Sequence, residues 1–165
     1  ADACARLAER GRVAEFGLSN ASPSYVAMLR ARAPVPLVTN QVEASLLRLD
    51  PFEDGTFDQA LELRMPPMAW SPLAGGRRVR ELAAAGAPKR QARVLSELER
   101  VAAEVEAPPE AVALAFLMRH PSGVRPIVGT RDPVRLERQA VARDVALSRE
   151  QWFDLWRAST GAPLP

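Results

Sequence analysis

The stretch Met68–Gly76, MAWSPLAGG, places an indole, a hydroxyl, a proline and two glycines at the end of a short apolar run. An aromatic ring followed by flexible backbone suits a flat ligand resting on the ring, with backbone N–H groups near its anionic part. A plain strand-to-loop transition uses the same residues. Three further places carry polar groups after apolar runs: Ser19-Asn20, Asn40-Gln41 with Glu43 close behind, and Gly129-Thr130-Arg131. Together they supply amides, hydroxyls, an indole and a guanidinium. They contain no metal-ligand pair, no nucleophile beside a base and no carboxylate dyad, so they suit orienting a polar ligand more than breaking a bond. The titratable inventory is thin: one histidine (His120), one tyrosine (Tyr25) and one lysine (Lys89). The other positive charges are arginines, which do not act as acids or bases near neutral pH.

Strands alternating with helices must position these groups. DACARLAER has helical spacing and Gly11 ends it; Val13–Leu18 reads as a strand. Ser22 caps a helix with Pro23 in its first position, and Pro34 stops it. PLVTNQVE is a second strand, GTFDQALELR a helix and PPMAWS a third strand. A Gly-, Ala- and Arg-rich loop follows from about Pro72 to Arg90. Two helices come next, the second apolar nearly all round and therefore expected to be buried. VRPIVG is a fourth strand. Asp132-Pro133 and Ser148 with Gln151 open two last helices, the latter pair as a capping box. Such alternation implies parallel strands joined by right-handed crossovers, with a site at the carboxyl ends of the strands.

The bulk properties set limits. At 165 residues, 47% apolar and 25% charged, the chain is long enough for one domain with a real core. The longest wholly apolar run, Ala111 to Met118, is too short to cross a bilayer. Cys4 is the only cysteine, which excludes an intrachain disulfide and a cysteine metal cluster and makes a cytoplasmic location the expectation. The net charge of +2 comes from scattered basic residues, so neither nucleic acid nor a membrane is an expected partner. Taken singly, each polar position has a bland reading. Ser19-Asn20 can be a turn and cap, Trp70 core filler, Gly75-Gly76 loop flexibility and Arg135 a solvated charge. Tyr25 can be a packing residue and His120 a helix C-terminal residue favourable to the dipole. Their joint place at successive strand ends favours a site.

The strings GRVAEFGLSN, TNQVE, MAWSPLAGG, PIVGTRDPVRLERQ and ALSREQW come in the order and spacing of the aldo-keto reductases, which the chain resembles from Gly11 to about Trp156. The stretch FDQALELRMPPMAWSPLAGGR is similar to a bacterial branch of predicted oxidoreductases in that family. The resemblance implies an NADP cofactor, a small carbonyl substrate and roles for named residues. Ser19, Asn20 and Gln41 would hold the nicotinamide carboxamide. Trp70 would stack on the ring, where the family often has tyrosine. Ser71, Leu73, Gly75 and Gly76 would line the pyrophosphate. Gly129, Thr130 and Arg131 would lie near the adenosine ribose and its 2′-phosphate, Arg135 would pair with that phosphate, and Gln139 would reach the adenine. Arginine forks and glycine backbone match phosphate oxygens.

The family fold is an eight-stranded (β/α) barrel, and four strand–helix units correspond to strands five to eight. The expected fold is therefore α/β, the C-terminal half of such a barrel. It would form a single domain over residues 1–165, with 1–11 the end of a preceding helix. The family's catalytic Asp, Tyr, Lys and His belong to the first half; Tyr25, Lys89 and His120 do not match those positions, so no catalytic residue is carried over. The expectation is an NADP-binding half, inactive alone, of an aldehyde or ketone reductase; the alternative is a non-catalytic nucleotide-binding or regulatory module. Val13, Leu37, Val38, Met68 and Ile127 are candidates for an inner face short of packing partners. Exposed strand edges of this kind invite self-association.

Overall fold

The computed structural model describes residues 2–74 and 89–162. Its elements are α1 (Asp2–Glu9), β1 (Phe16–Ser19), α2 (Pro23–Arg30), β2 (Leu37–Glu43), α3 (Asp50–Glu53), α4 (Thr56–Glu62), β3 (Met68–Trp70), α5 (Lys89–Glu104), α6 (Pro109–Met118), β4 (Arg125–Pro126), α7 (Pro133–Ala140) and α8 (Arg149–Thr160). A short 3₁₀ turn, Val141–Arg143, follows α7. The strands form one sheet in the order β1-β2-β3-β4, and every pairing is parallel. Four parallel strands in chain order with outer helices are the expected half-barrel arrangement.

One face of the sheet builds the core. Val42, Ala44 and Ala69 lie against Phe57 of α4, Val94, Leu98 and Val101 of α5, Val112 and Phe116 of α6, and Leu155 of α8. Helix α6 is buried from Ala111 to Leu117, as its all-round apolar sequence requires. Trp152 docks α8 onto it: its ring stacks on Phe116 at 4.8 Å and its Nε1–H donates to the Phe116 carbonyl at 2.9 Å. Arg100 of α5 adds an exposed clasp, paired with Glu97, Glu104 and Asp154 of α8.

Three local readings differ from the sequence expectation. Strand β1 starts at Phe16 rather than Val13. Its partner β2 starts at Leu37, directly after Pro36, and prolines have no N–H to extend a ladder backwards. The register slips by one residue between the pairs Phe16–Leu37 and Leu18–Asn40. That bulge turns Leu37 onto the helix side, where it packs with Val26 and Met65, so Leu37 does not belong to the open face. Gly17 sits at the slip because a Cβ there would stand 2.7 Å from Thr39 Cγ2. The short helix α3 has no signal beyond Pro51 at its start.

His120 is more than a residue favourable to a helix dipole. Its ring packs on Phe52 and Phe57 at centroid distances of 5.2 and 5.1 Å, and Nδ1 accepts the Ser122 N–H at 3.3 Å. Burial holds its pKa below the ordinary 6.5, opposed by the nearby Asp58 charge. Because the folded value lies below the unfolded one, the unfolded chain binds more protons in the window between them. Stability is therefore expected to fall as pH drops below about 6.5 and to level off below the depressed value. Thermal melts across that window should show a shallower slope for His120→Gln than for the parent; equal slopes would reject the assignment.

Candidate functional site

At the carboxyl end of β1 the chain turns through Asn20, whose φ of 52° is left-handed. Asparagine tolerates this conformation better than most residues. Two bonds hold the turn from β2. The Asn20 N–H donates to the Gln41 carbonyl at 2.8 Å. The side chain of Asn40, only 3% exposed, brackets the next residue: Oδ1 accepts from Ala21 N–H at 3.3 Å and Nδ2 donates to Ala21 O at 2.8 Å. The sequence reading named Asn40 only as a strand end; in LVTNQVE it stands among Thr39, Gln41 and Glu43, so nothing local singles it out.

Alternation in β2 then sends Gln41 and Glu43 to the face opposite Asn40 and Val42. The register sets Ser19 beside Gln41 and Glu43 beside Trp70. The Trp70 indole N–H crosses to Asn20 and donates to Oδ1 at 3.0 Å. Ser19, Asn20, Gln41 and Trp70 thus meet at one end of the sheet, from three different strands. Ser19 and Asn20 are exposed, and Gln41 and Trp70 half-buried.

β3 leaves the sheet through a tight turn. Ser71 and Ala74 have φ of 49° and 55°, and Ala74 N–H donates to the Ser71 carbonyl at 2.8 Å. Leu73 packs against the clusters that include Leu114 and Phe116. Gly75 and Gly76 lie outside the described residues.

The fourth strand joins through Ile127 N–H to Ala69 O at 2.8 Å, which carries the chain into Gly129-Thr130-Arg131. Thr130 Oγ1 accepts from Asp132 N–H, and Asp132 caps α7 by accepting from Val134 N–H at 3.0 Å. The other Asp132 oxygen pairs with Arg135 Nε at 3.3 Å, both side chains half-exposed. Arg138 ties α7 to Glu110 of α6 at 2.5 Å. Gln139 holds a buried Oε1 that has no hydrogen-bond partner among the described residues, whereas such atoms ordinarily find one. The residues foreseen in the sequence therefore fall into two groups, one around Trp70 and one from Gly129 along α7 to Gln139, joined by the β3–β4 pairing.

Tyr25 stands in the first turn of α2, half-exposed, and its phenol takes part in no hydrogen bond among the described residues. His120 is engaged with Ser122 and the phenylalanines. No cluster of three His, Cys, Asp or Glu suited to a metal occurs among the described residues, and no described helix is long and apolar enough to cross a membrane. A groove between α5 and α8 is lined by Arg93, Arg100, Asp154 and Arg157 and shares no residue with the strand ends.

Comparison with known proteins bears on this arrangement. The chain is 38% identical over its whole length to the uncharacterized oxidoreductase YcsN of Bacillus subtilis, spanning 54% of that protein. It is 39% identical to the oxidoreductase YdhF of Escherichia coli, spanning 53% of it. A 6-dehydroglucose reductase of Agrobacterium fabrum is 36% identical over 94% of this chain and 50% of its own length. The chain thus spans about half the length of the curated relatives it matches. In structure it superposes on the thermostable aldo-keto reductase Tm1743 with a TM-score of 0.82, over 95% of this chain and 53% of that one, at 23% identity. The aldose reductase of Giardia lamblia gives a TM-score of 0.78 over 50% of its chain. The model of the aldo/keto reductase family matches residues 1–158, and with four parallel strands bearing their polar residues at one end, the chain belongs to that family.

Proposed function

We propose that this chain is the dinucleotide-binding half of an NADPH-dependent aldehyde or ketone oxidoreductase. The observation that carries the reading is the convergence of Ser19, Asn20, Gln41 and Trp70 at one end of the sheet. A half-buried indole lies there beside amide and hydroxyl groups. NADPH would supply the hydride; the residues here would bind and orient its nicotinamide end. The donor set fits such a group. Nδ2 of Asn20 has no partner among the described residues, and Gln139 is assigned to the adenine end. Arg131 and Arg135 suit the phosphate-bearing portion, with Gly129 and Thr130 beside them. Ser71, Leu73, Gly75 and Gly76 complete the assignment as the pyrophosphate segment.

Calorimetry with NADP and NAD tests this. NADP is expected to bind more tightly, and Arg135→Ala to remove that preference. A charge-assisted hydrogen bond contributes about 1.5–3 kcal/mol, so NADP affinity should fall roughly ten-fold to a hundred-fold. Arg135 must first leave Asp132, which favours the lower end of that range. Equal affinity for both dinucleotides in both proteins would reject the reading.

The alternative is a non-catalytic nucleotide-binding or regulatory module. It predicts the same binding with no activity when a complementary half is supplied. Among the described residues β1 and β4 each pair with one strand only, and these edges with the open face carrying Gln41, Met68 and Trp70 support self-association of a single folded unit. Sedimentation showing a cooperative monomer at all concentrations would contradict that.

A further inference from the structure

We infer that the Trp70 indole N–H is a positioning device. It locks the Asn20 amide so that this end of the sheet presents hydrogen-bond donors, and the site selects a planar group through an oxygen acceptor. The argument starts from the donor inventory. An indole nitrogen only donates, so the Asn20 atom facing it at 3.0 Å must be the amide oxygen. That fixes which way the amide points, and Nδ2 with its two hydrogens remains without a partner among the described residues.

The backbone leaves the amide little freedom to do otherwise. Asn20 is held left-handed at φ 52°, its N–H is tied to Gln41 O at 2.8 Å, and the following residue is bracketed by the buried Asn40 side chain. The turn is therefore anchored from β2 while the side chain is oriented from β3. One lone pair of the Asn20 oxygen is engaged by the indole, while both Nδ2 hydrogens stay available, on the residue next to Ser19. A carboxamide oxygen or a carboxylate next to a flat ring meets that pattern; a ring that bears only donors meets it poorly. A tyrosine or phenylalanine at position 70 would keep an aromatic surface but lose the indole N–H, and Asn20 could then present either end of its amide.

This inference rests on the nicotinamide reading and adds the direction of its hydrogen bond. The test has one arm that needs no ligand. In the free chain labelled with ¹⁵N, the Trp70 indole N–H resonance, assigned as the one missing from Trp70→Phe, should move upfield in Asn20→Ala. An unmoved resonance would overturn the clasp. The second arm measures by calorimetry the affinity for NADP and for its thionicotinamide analogue, whose sulfur accepts hydrogen bonds weakly. The parent chain is expected to prefer NADP by about five- to ten-fold, the effect of one hydrogen bond. Trp70→Phe should bring that ratio towards unity, and Asn20→Ala should do the same with the aromatic shelf intact. A general loss of structure would weaken both ligands together and show in the variant's melting curve, which must match the parent's before its ratio is read. A parent ratio of one, or an unchanged ratio in Trp70→Phe, would overturn the inference. Failure of either dinucleotide to bind would sink the cofactor reading instead, with the indole resonance still judging the clasp.

Discussion

Given NADPH and a reactive aldehyde, this chain alone is expected to leave the cofactor's absorbance unchanged. Activity should appear when it is mixed with the first-half fragment of a full-length relative. Reducing a carbonyl leaves a developing alkoxide, which needs a proton donor within hydrogen-bond reach. Around Trp70 the described groups are the hydroxyls and amides of Ser19, Ser71, Asn20 and Gln41, the indole N–H already given to Asn20, and Glu43, whose carboxylate pairs with Arg48 at 3.9 Å. None is a phenol or an imidazole. Tyr25 is half-exposed on α2, and His120 is bound to Ser122 with its basicity lowered by burial. A positioned general acid contributes about 10²–10⁴-fold, and the rest of the substrate's surroundings would come from elsewhere. Turnover by the chain alone that disappears in Tyr25→Phe would identify an acid in the wrong place for this account. Cofactor binding with no activity in the mixture would favour the non-catalytic alternative.

Asn40→Ala is expected to destabilise the fold by about 2–4 kcal/mol. It strips the buried Ala21 N–H and C=O of both partners, and each unsatisfied buried group costs about 1–3 kcal/mol. For a chain of this size the midpoint should drop by roughly 5–15 °C. Gln41→Ala, one residue along, is the contrast. Its side chain faces the open side and makes no hydrogen bond among the described residues, while its backbone carbonyl keeps the bond to Asn20. Its stability should change by less than about 0.5 kcal/mol, although dinucleotide affinity should fall. Denaturant unfolding of both variants decides the matter. Similar stabilities for the two would show that the Asn40 bracket contributes little.

The alternation of elements was legible because caps and prolines punctuate it. Ser22-Pro23, Asp132-Pro133 and the Ser148–Gln151 box each open a helix where the sequence placed one. The polar strand ends were legible for a similar reason: Ser19-Asn20, Gln41, Trp70-Ser71 and Gly129–Arg131 interrupt apolar runs of strand length. The start of β1, the face of Leu37 and the helix α3 were not. A strand's ends and faces depend on its partner's register, and a one-residue slip between Leu37 and Asn40 reverses a side chain's side without any change in local pattern.

By itself, then, the sequence determined the family, the four parallel strand–helix units and the set of polar groups at their ends, because periodicity, caps and turn residues are local. Only the tertiary structure decided how those groups relate. It closed the Asn40 bracket on Ala21 across 19 residues and sent the Trp70 indole to Asn20 across 50. It also paired Arg135 with the Asp132 cap and left Gln139 Oε1 without a partner among the described residues. Those contacts arise where strands distant in sequence are set side by side, and hydrogen-bond direction there is fixed by which donor meets which acceptor, information that no single segment contains.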